Sequence, residues 1–113
     1  MHKAKILRIH FSDGHHYNGK PLHDAIVRKC YEMNIAGATV FRGLEGYGET
    51  AEIHRRHVIA KDQPIIIVIV DSEERIQELV PVVESMMGTG MLAISDVDVV
   101  RVQGNVPANT DSK

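Results

Sequence analysis

The stretch Ile65-Ile-Ile-Val-Ile-Val70 consists of six consecutive β-branched residues, and it decides the fold. Such side chains favour extended backbone, so the run predicts a strand. Successive side chains of a strand point to opposite faces of its sheet. Isoleucines occupy the odd positions, and the even positions hold isoleucine and valine, so both faces are apolar. We therefore expect a central strand that is buried on both sides.

Strands and helices alternate around this run. An apolar stripe at three- and four-residue spacing predicts a helix from Pro21 to about Asn34. A second helix follows the central strand, with Asp71 as its N-cap and a kink at Pro81. Alternating patterns predict strands over residues 3–11, about 38–44 and 91–102.

The order β-α-β-β-α-β is the split βαβ, or ferredoxin-like, pattern. The predicted fold class is α+β, a four-stranded antiparallel sheet with two helices on one face. The helices leave the second apolar face uncovered, although burying one aliphatic side chain is worth about 1.5–3 kcal/mol. We expect an oligomer whose subunits pack through these faces; a C-terminal segment folded over the face is the alternative. Residues 1–103 are expected to form the domain, and residues 104–113 a flexible tail.

Composition limits the classes of function. The chain has 113 residues, 43% of them hydrophobic, and a formal net charge of -2, so no basic excess suggests nucleic acid as a partner. The single cysteine, Cys30, excludes an intramolecular disulfide and falls on the apolar stripe of the first helix. The chain shows neither a signal-peptide core nor an apolar run near the roughly 20 residues that span a bilayer. We therefore expect a cytoplasmic protein.

Two glycine-bearing segments are candidates for ligand binding. The strand over residues 39–41 runs into Gly43, Gly46 and Gly48, and the second helix is followed by Gly88-Thr-Gly90. Backbone amides freed by such turns can hold an anion. Taken alone, the first segment favours a bulged strand end without a ligand. In an oligomer, a site shared by neighbouring subunits would use both segments.

Other chemistry is weakly indicated. The chain has seven histidines, but a structural metal site normally needs about four well-placed ligands, so solvated histidines are the simpler interpretation. Asp96 and Asp98 alternate with valines and are predicted to lie on a solvated face. No nucleophile is found in a catalytic setting, and no enzymatic activity is expected.

The residues resemble a known superfamily. Gly37-Ala-Thr-Val40, Gly46-Tyr-Gly48 and Thr89-Gly90 are similar to motifs of the PII signalling proteins. The closer similarity is to the PII-like branch, the domain of unknown function 190 family. It is carried by Gly19-Lys-Pro-Leu22, Ala36-Gly-Ala-Thr-Val-Phe-Arg-Gly43 and residues 64–71, and it extends over residues 3–102.

This resemblance implies a homotrimeric sensor that binds an adenine nucleotide between subunits, needs no cofactor and holds no metal. It also implies a mobile loop, about residues 45–63, that engages a partner; a membrane transporter or channel fits that role. The nucleotide-binding positions it implies are Thr39, Val40, Arg42, Gly46, Tyr47, Gly48, Thr89, Gly90 and Met91. The partner-loop positions are Glu49, Glu52, Arg55 and Arg56.

One departure from PII bears on the ligand. Asp96 stands where PII proteins have a phosphate-binding lysine, so AMP or ADP is expected in preference to ATP. Arg42, Arg55 or Arg56 would then supply the charge that holds phosphate.

Two rival hypotheses use the same architecture. A trimer resembling the CutA proteins would bind metal through His15, His16, His54 or His57. A small enzyme resembling acylphosphatase would need an arginine and an asparagine at a phosphate cradle. The first loop offers Asn18 and Lys20 but no arginine.

Overall fold

The computed structural model describes residues 1–47 and 63–104, which contain six strands and two helices. These are β1 (His2–Ser12), β2 (His16–Tyr17), β3 (Lys20–Pro21), α1 (Leu22–Glu32), β4 (Thr39–Arg42), β5 (Pro64–Asp71), α2 (Glu73–Met86) and β6 (Met91–Val99).

The main sheet has the order β4-β5-β1-β6, and all its neighbouring strands are antiparallel. This order confirms the predicted ferredoxin-like fold, with β1 and β5 in the centre and β4 and β6 at the edges. β2 and β3 form a separate two-stranded hairpin in the region predicted as a loop. Asn18 and Gly19 make its turn with φ of 51° and 81°, the positive values that a tight hairpin requires.

The core lies between the helices and one face of the sheet. From Leu7 to Phe11 in β1 and from Ile65 to Ile69 in β5, the side chains on this helix-side face are all buried, and so is most of the apolar stripe of each helix. The core includes Leu7, Ile9, Phe11, Ile65, Ile67 and Ile69 from the sheet, Leu22, Ile26 and Cys30 from α1, and Ile76, Leu79 and Val83 from α2.

The opposite face of the sheet is apolar but uncovered. We call it the open face; its central residues are Ile6, Arg8 and His10 of β1 and Ile66, Val68 and Val70 of β5, and all six are half-buried. Val100 and Val102 are 64% and 90% exposed, so residues 100–104 do not bury this face. Residues 105–113, most of the predicted tail, lie outside the described residues, so the alternative of a covering C-terminal segment stays a prediction.

The N-cap of α2 is Ser72 rather than Asp71, which corrects the prediction. Ser72 Oγ accepts a hydrogen bond from the Arg75 amide at 3.2 Å, whereas Asp71 still belongs to β5. The Asp71 carboxylate instead accepts from the amides of Ala36 at 2.9 Å and Ser72 at 2.7 Å. One side chain therefore ties the segment before β4 to the start of α2.

The C-terminal end of α1 is closed by backbone hydrogen bonds and is also tied to α2. At the end of α1, Asn34 has φ 61° and the Ile35 amide donates to the Cys30 carbonyl at 3.0 Å, the pattern of a Schellman cap. Arg75 of α2 donates to the Met33 carbonyl at 3.2 Å and ties the two helices together. Pro81 does not end the helix, because α2 is continuous with exposed Pro81 inside it, and the kink expected there stays a prediction.

No helix in residues 1–47 or 63–104 is long and apolar enough to cross a membrane.

Candidate functional site

The first glycine segment wraps around Pro64 at the β4 edge of the sheet. The Gly43 amide donates to the Pro64 carbonyl at 2.8 Å. A Cβ atom at Gly43 would lie 2.7 Å from Pro64 Cγ, and one at Gly46 would lie 2.9 Å from the same atom. Both glycines are therefore needed for the close approach of the chain to Pro64, with or without a ligand.

Asp13 joins the end of β4 to the residue that precedes β5. Arg42, at the end of β4, donates from Nη1 to Asp13 Oδ2. The Asp13 amide donates to the Gln63 carbonyl at 2.9 Å. We call Asp13, Arg42, Gly43, Gln63 and Pro64 the loop-base junction.

The second glycine segment lies at the β6 edge. Gly90 has φ +148°, and a Cβ there would lie 2.5 Å from the His10 carbonyl oxygen and 2.3 Å from Met87 Cε. Thr89 precedes it and is exposed, and Met91 opens β6 opposite His10. Only glycine fits this turn, because backbone atoms of β1 close the space beside it.

The two segments lie on opposite edges of the sheet. Phe41, Ile66, His10 and Met91 form one row across it, from β4 through β5 and β1 to β6. Three strand spacings of about 4.8 Å separate the two edges by roughly 14 Å. A single chain therefore does not bring Gly46 and Tyr47 together with the residues around Gly90.

The predicted residues of β4 also divide between two faces. Thr39 pairs with Val68 and lies on the open face, whereas Val40 and Arg42 alternate to the helix-side face. Gly48 and the partner-loop positions Glu49, Glu52, Arg55 and Arg56 lie outside the described residues.

An open groove of about 590 Å³ runs along the open face near Thr39. Most of the residues that line this groove were not predicted from the sequence, among them Ile6, Val68 and Arg101. The alternation of Val97 and Val99 with the aspartates could have indicated part of this lining, because it places both valines on one face of the sheet. That face also carries Ile6. The alternation does not reveal that β6 pairs with β1, and this pairing determines the edge of the sheet at which the two valines lie.

Asp96 and Asp98 are exposed, as predicted, and each is also paired with a lysine. Asp96 Oδ1 lies 2.5 Å from Lys5 Nζ, and Asp98 Oδ1 lies 3.0 Å from Lys3 Nζ. Lys5 and Asp96 are opposite each other on the helix-side face, so the negative charge counted against phosphate is paired with a cation. The argument from Asp96 against ATP is correspondingly weaker.

The Lys5–Asp96 pair predicts a loss of stability in acid. The hydrogen bond from Lys5 lowers the pKa of Asp96 below its ordinary 3.8, and the same bond raises the pKa of Lys5 above its ordinary 10.5. A carboxyl whose folded-state pKa is lowered stabilises the fold above its unfolded pKa and stops doing so as pH falls through the folded value. The raised amine loses its contribution only as pH rises above 10.5.

We therefore expect wild-type protein and Asp96→Asn to differ in unfolding free energy by a constant amount between about pH 5 and 9. The difference should shrink below about pH 4, as measured by urea unfolding over a pH series. A difference that stays undiminished in strong acid would contradict this account.

The cysteine and histidine side chains of the described residues show little sign of nucleophilic reactivity or metal binding. Burial raises the pKa of the Cys30 thiol to about 11, so the thiol stays protonated and a poor nucleophile. His15 stacks on Phe11 with ring centroids 6.3 Å apart, and His16 Nδ1 lies 2.9 Å from the Gly14 carbonyl oxygen. No group of three metal-ligating side chains forms within residues 1–47 and 63–104. His54 and His57 lie outside that range, so the metal hypothesis stays a prediction.

The sheet order and the helices on one face define an α+β protein with the ferredoxin-like fold. The profile of the family DUF190, described as Uncharacterized ACR, COG1993, matches residues 4–99. The chain belongs to this family.

Curated relatives agree with this assignment. A UPF0166 protein of Aquifex aeolicus is 33% identical over 100 residues, covering 87% of this chain and 94% of the relative. A UPF0166 protein of Methanocaldococcus jannaschii is 35% identical over 104 residues, covering 88% and 94%.

Solved structures share the fold at low sequence identity. A PII-like signalling protein from Thermus thermophilus superposes with a TM-score of 0.65 at 18% identity, covering 88% of this chain and 91% of that one. CPII from Thiomonas intermedia, a nitrogen regulatory PII-like protein bound to ADP, AMP and bicarbonate, gives 0.63 at 20% with the same coverage. The divalent ion tolerance protein CutA1 from Ehrlichia chaffeensis gives 0.57 at 16%, covering 92% and 88%.

Proposed function

We propose that this protein is a non-enzymatic, PII-like sensor that binds an adenine nucleotide in clefts between the subunits of a cytoplasmic homotrimer. One observation carries the proposal: the two glycine segments lie on opposite edges of one sheet, so a site that uses both needs two copies of the chain. CPII, which has the same fold, binds ADP and AMP.

The open face gives the copies a reason to associate. Its aliphatic side chains are only half-buried in one chain, and Phe41 and Met91 at its margins are 53% and 49% exposed. Packing these faces together removes apolar surface from water, which is the main favourable term in association. It also brings a β4 edge of one copy near a β6 edge of the next.

In the proposed cleft, one copy contributes the β4 edge. The Thr39 hydroxyl lies beside the adenine, while Arg42 and the backbone at Gly46 and Tyr47 approach the phosphate. The neighbouring copy contributes Thr89, Gly90 and Met91 from its β6 edge. Binding shifts the population of conformations of residues 45–63 and so the affinity for a partner, for which we propose a membrane transporter or channel.

Titration calorimetry with AMP, ADP and ATP tests this function. We expect one nucleotide per chain, with AMP or ADP bound more tightly than ATP and with GMP, the base control, bound weakly. Thermal unfolding should shift upward with the nucleotide that binds, because a ligand of the folded state stabilises it by mass action. Absence of both heat and thermal shift with all three adenine nucleotides would refute the proposal.

A further inference from the structure

Asp13 places its carboxylate beside Arg42, the cation that we propose for phosphate binding. Its side chain is 17% exposed, whereas that of Arg42 is 45% exposed. The hydrogen bond from the Asp13 amide to the Gln63 carbonyl fixes the backbone of this residue, so the carboxylate is presented to Arg42 from a rigid position. Asp13 lies in the loop after β1, outside both glycine segments and outside the nucleotide-binding positions that the resemblance implies.

The pair alters what Arg42 can offer an anion. A guanidinium has five N–H donors in a fixed fork. Asp13 Oδ2 accepts from Nη1, and the negative charge of Asp13 cancels the positive charge of Arg42 at short range. The half-exposed guanidinium still presents donors to solvent, but a neutral pair attracts an anion far less than a free cation does.

We propose that Asp13 is a positioning residue that sets the phosphate preference of the nucleotide site by competing with phosphate for Arg42. This inference rests on the proposed function. The attraction of a free cation grows with the charge of the ligand, so masking Arg42 lowers affinity most for ATP and least for AMP. Asp13 thereby takes the role that sequence analysis gave to Asp96, whose charge is paired with Lys5.

Asp13→Asn isolates the charge from the structural role of the residue. Asparagine keeps one side-chain oxygen that can accept from Arg42 and the backbone amide that donates to Gln63, and it replaces the other carboxylate oxygen by an uncharged NH2 group. Dissociation constants for AMP, ADP and ATP are measured by calorimetry on wild-type protein and this variant. We expect the ATP-to-AMP affinity ratio to rise by roughly threefold to tenfold.

Three further variants separate competition from general effects. Asp13→Glu restores the charge and is expected to return the ratio toward the wild-type value. Glu32→Gln removes an ion-paired carboxylate of the same charge on α1, away from both edges of the sheet, and should leave the ratio unchanged. In an Arg42→Gln background, Asp13→Asn should change the ratio by less than about twofold, because there is no guanidinium left to release.

The outcomes distinguish the two proposals. If wild-type protein binds none of the nucleotides, the proposed function fails. If wild-type protein binds but Asp13→Asn leaves the ATP-to-AMP ratio unchanged, or changes it equally in the Arg42→Gln background, the inference about Asp13 fails alone. Circular dichroism checks folding, and Asp13→Ser replaces Asp13→Asn if the asparagine variant does not fold.

Discussion

Val68→Lys is expected to convert the assembled protein to monomers. Val68 lies in the middle of the open face, opposite Arg8 on β1 and Thr39 on β4. Lysine is a better test than glutamate, because a glutamate at this position could form an ion pair with Arg8. The open face of the described strands carries no carboxylate that could pair with a lysine. Burying an unpaired charge costs several kcal/mol, which weakens association by at least about a hundredfold.

Light scattering coupled to size exclusion measures this effect. Wild-type protein is expected at three times the 12.6 kDa mass of one chain, and Val68→Lys at the single-chain mass. Because lysine at this half-buried position stays hydrated in the free subunit, circular dichroism should show a folded monomer. That monomer should also lose nucleotide binding, since each chain retains only half of every cleft.

Gln77→Lys is the matched control for this substitution. It adds the same charge on the exposed surface of α2, where Gln77 already bonds Glu73 at 3.1 Å. It should leave the assembled mass unchanged. A Val68→Lys protein that keeps the wild-type mass would show that the open face is not the surface through which copies associate.

Gly90→Ala is expected to destabilise the fold by about 2–4 kcal/mol. The new Cβ would lie 2.5 Å from the His10 carbonyl oxygen, and the backbone φ of +148° is one that only glycine adopts readily. Met87 can move its flexible end, but the carbonyl belongs to the central strand β1 and cannot. The turn must therefore open, with loss of pairing at the start of β6.

Gly88→Ala gives the comparison within the same segment. Nothing lies within 4 Å of a Cβ built at Gly88, so we expect a change of less than about 0.5 kcal/mol. Urea unfolding of both variants at one protein concentration measures the difference. Equal stabilities would mean that the turn at Gly90 adapts without cost.

The sheet was predictable because its information is local. Alternation along residues 65–70 gave the two apolar faces, and the spacing of apolar residues gave both helices. The N-cap was misplaced by one residue because aspartate and serine are both good caps, and only the pairing of Asp71 with Lys5 shows that the strand still includes it. Pro81 gave no sign in the sequence that the helix would continue to Met86, since an internal proline removes one helix hydrogen bond and often ends a helix.

The site was less predictable because its interactions are distant in sequence. Asp96 pairs with Lys5, 91 positions away, and Arg42 pairs with Asp13, 29 positions away. Neither pairing leaves a mark in the local pattern of either segment. The position of the glycine segments at opposite edges likewise follows from strand order, which the alternation of residues does not encode.

The opposite-edge arrangement has a consequence for mixed assemblies. In the proposed assembly, contact between a β4 edge and a β6 edge is head-to-tail, so a closed ring contains as many clefts as subunits, and each subunit serves two of them. We expect a chain damaged at Arg42 and another damaged at Thr89 each to be unable to build a cleft alone. In a ring that contains both, the junction where the two undamaged edges meet should regain a complete cleft, so the two inactive chains should complement each other.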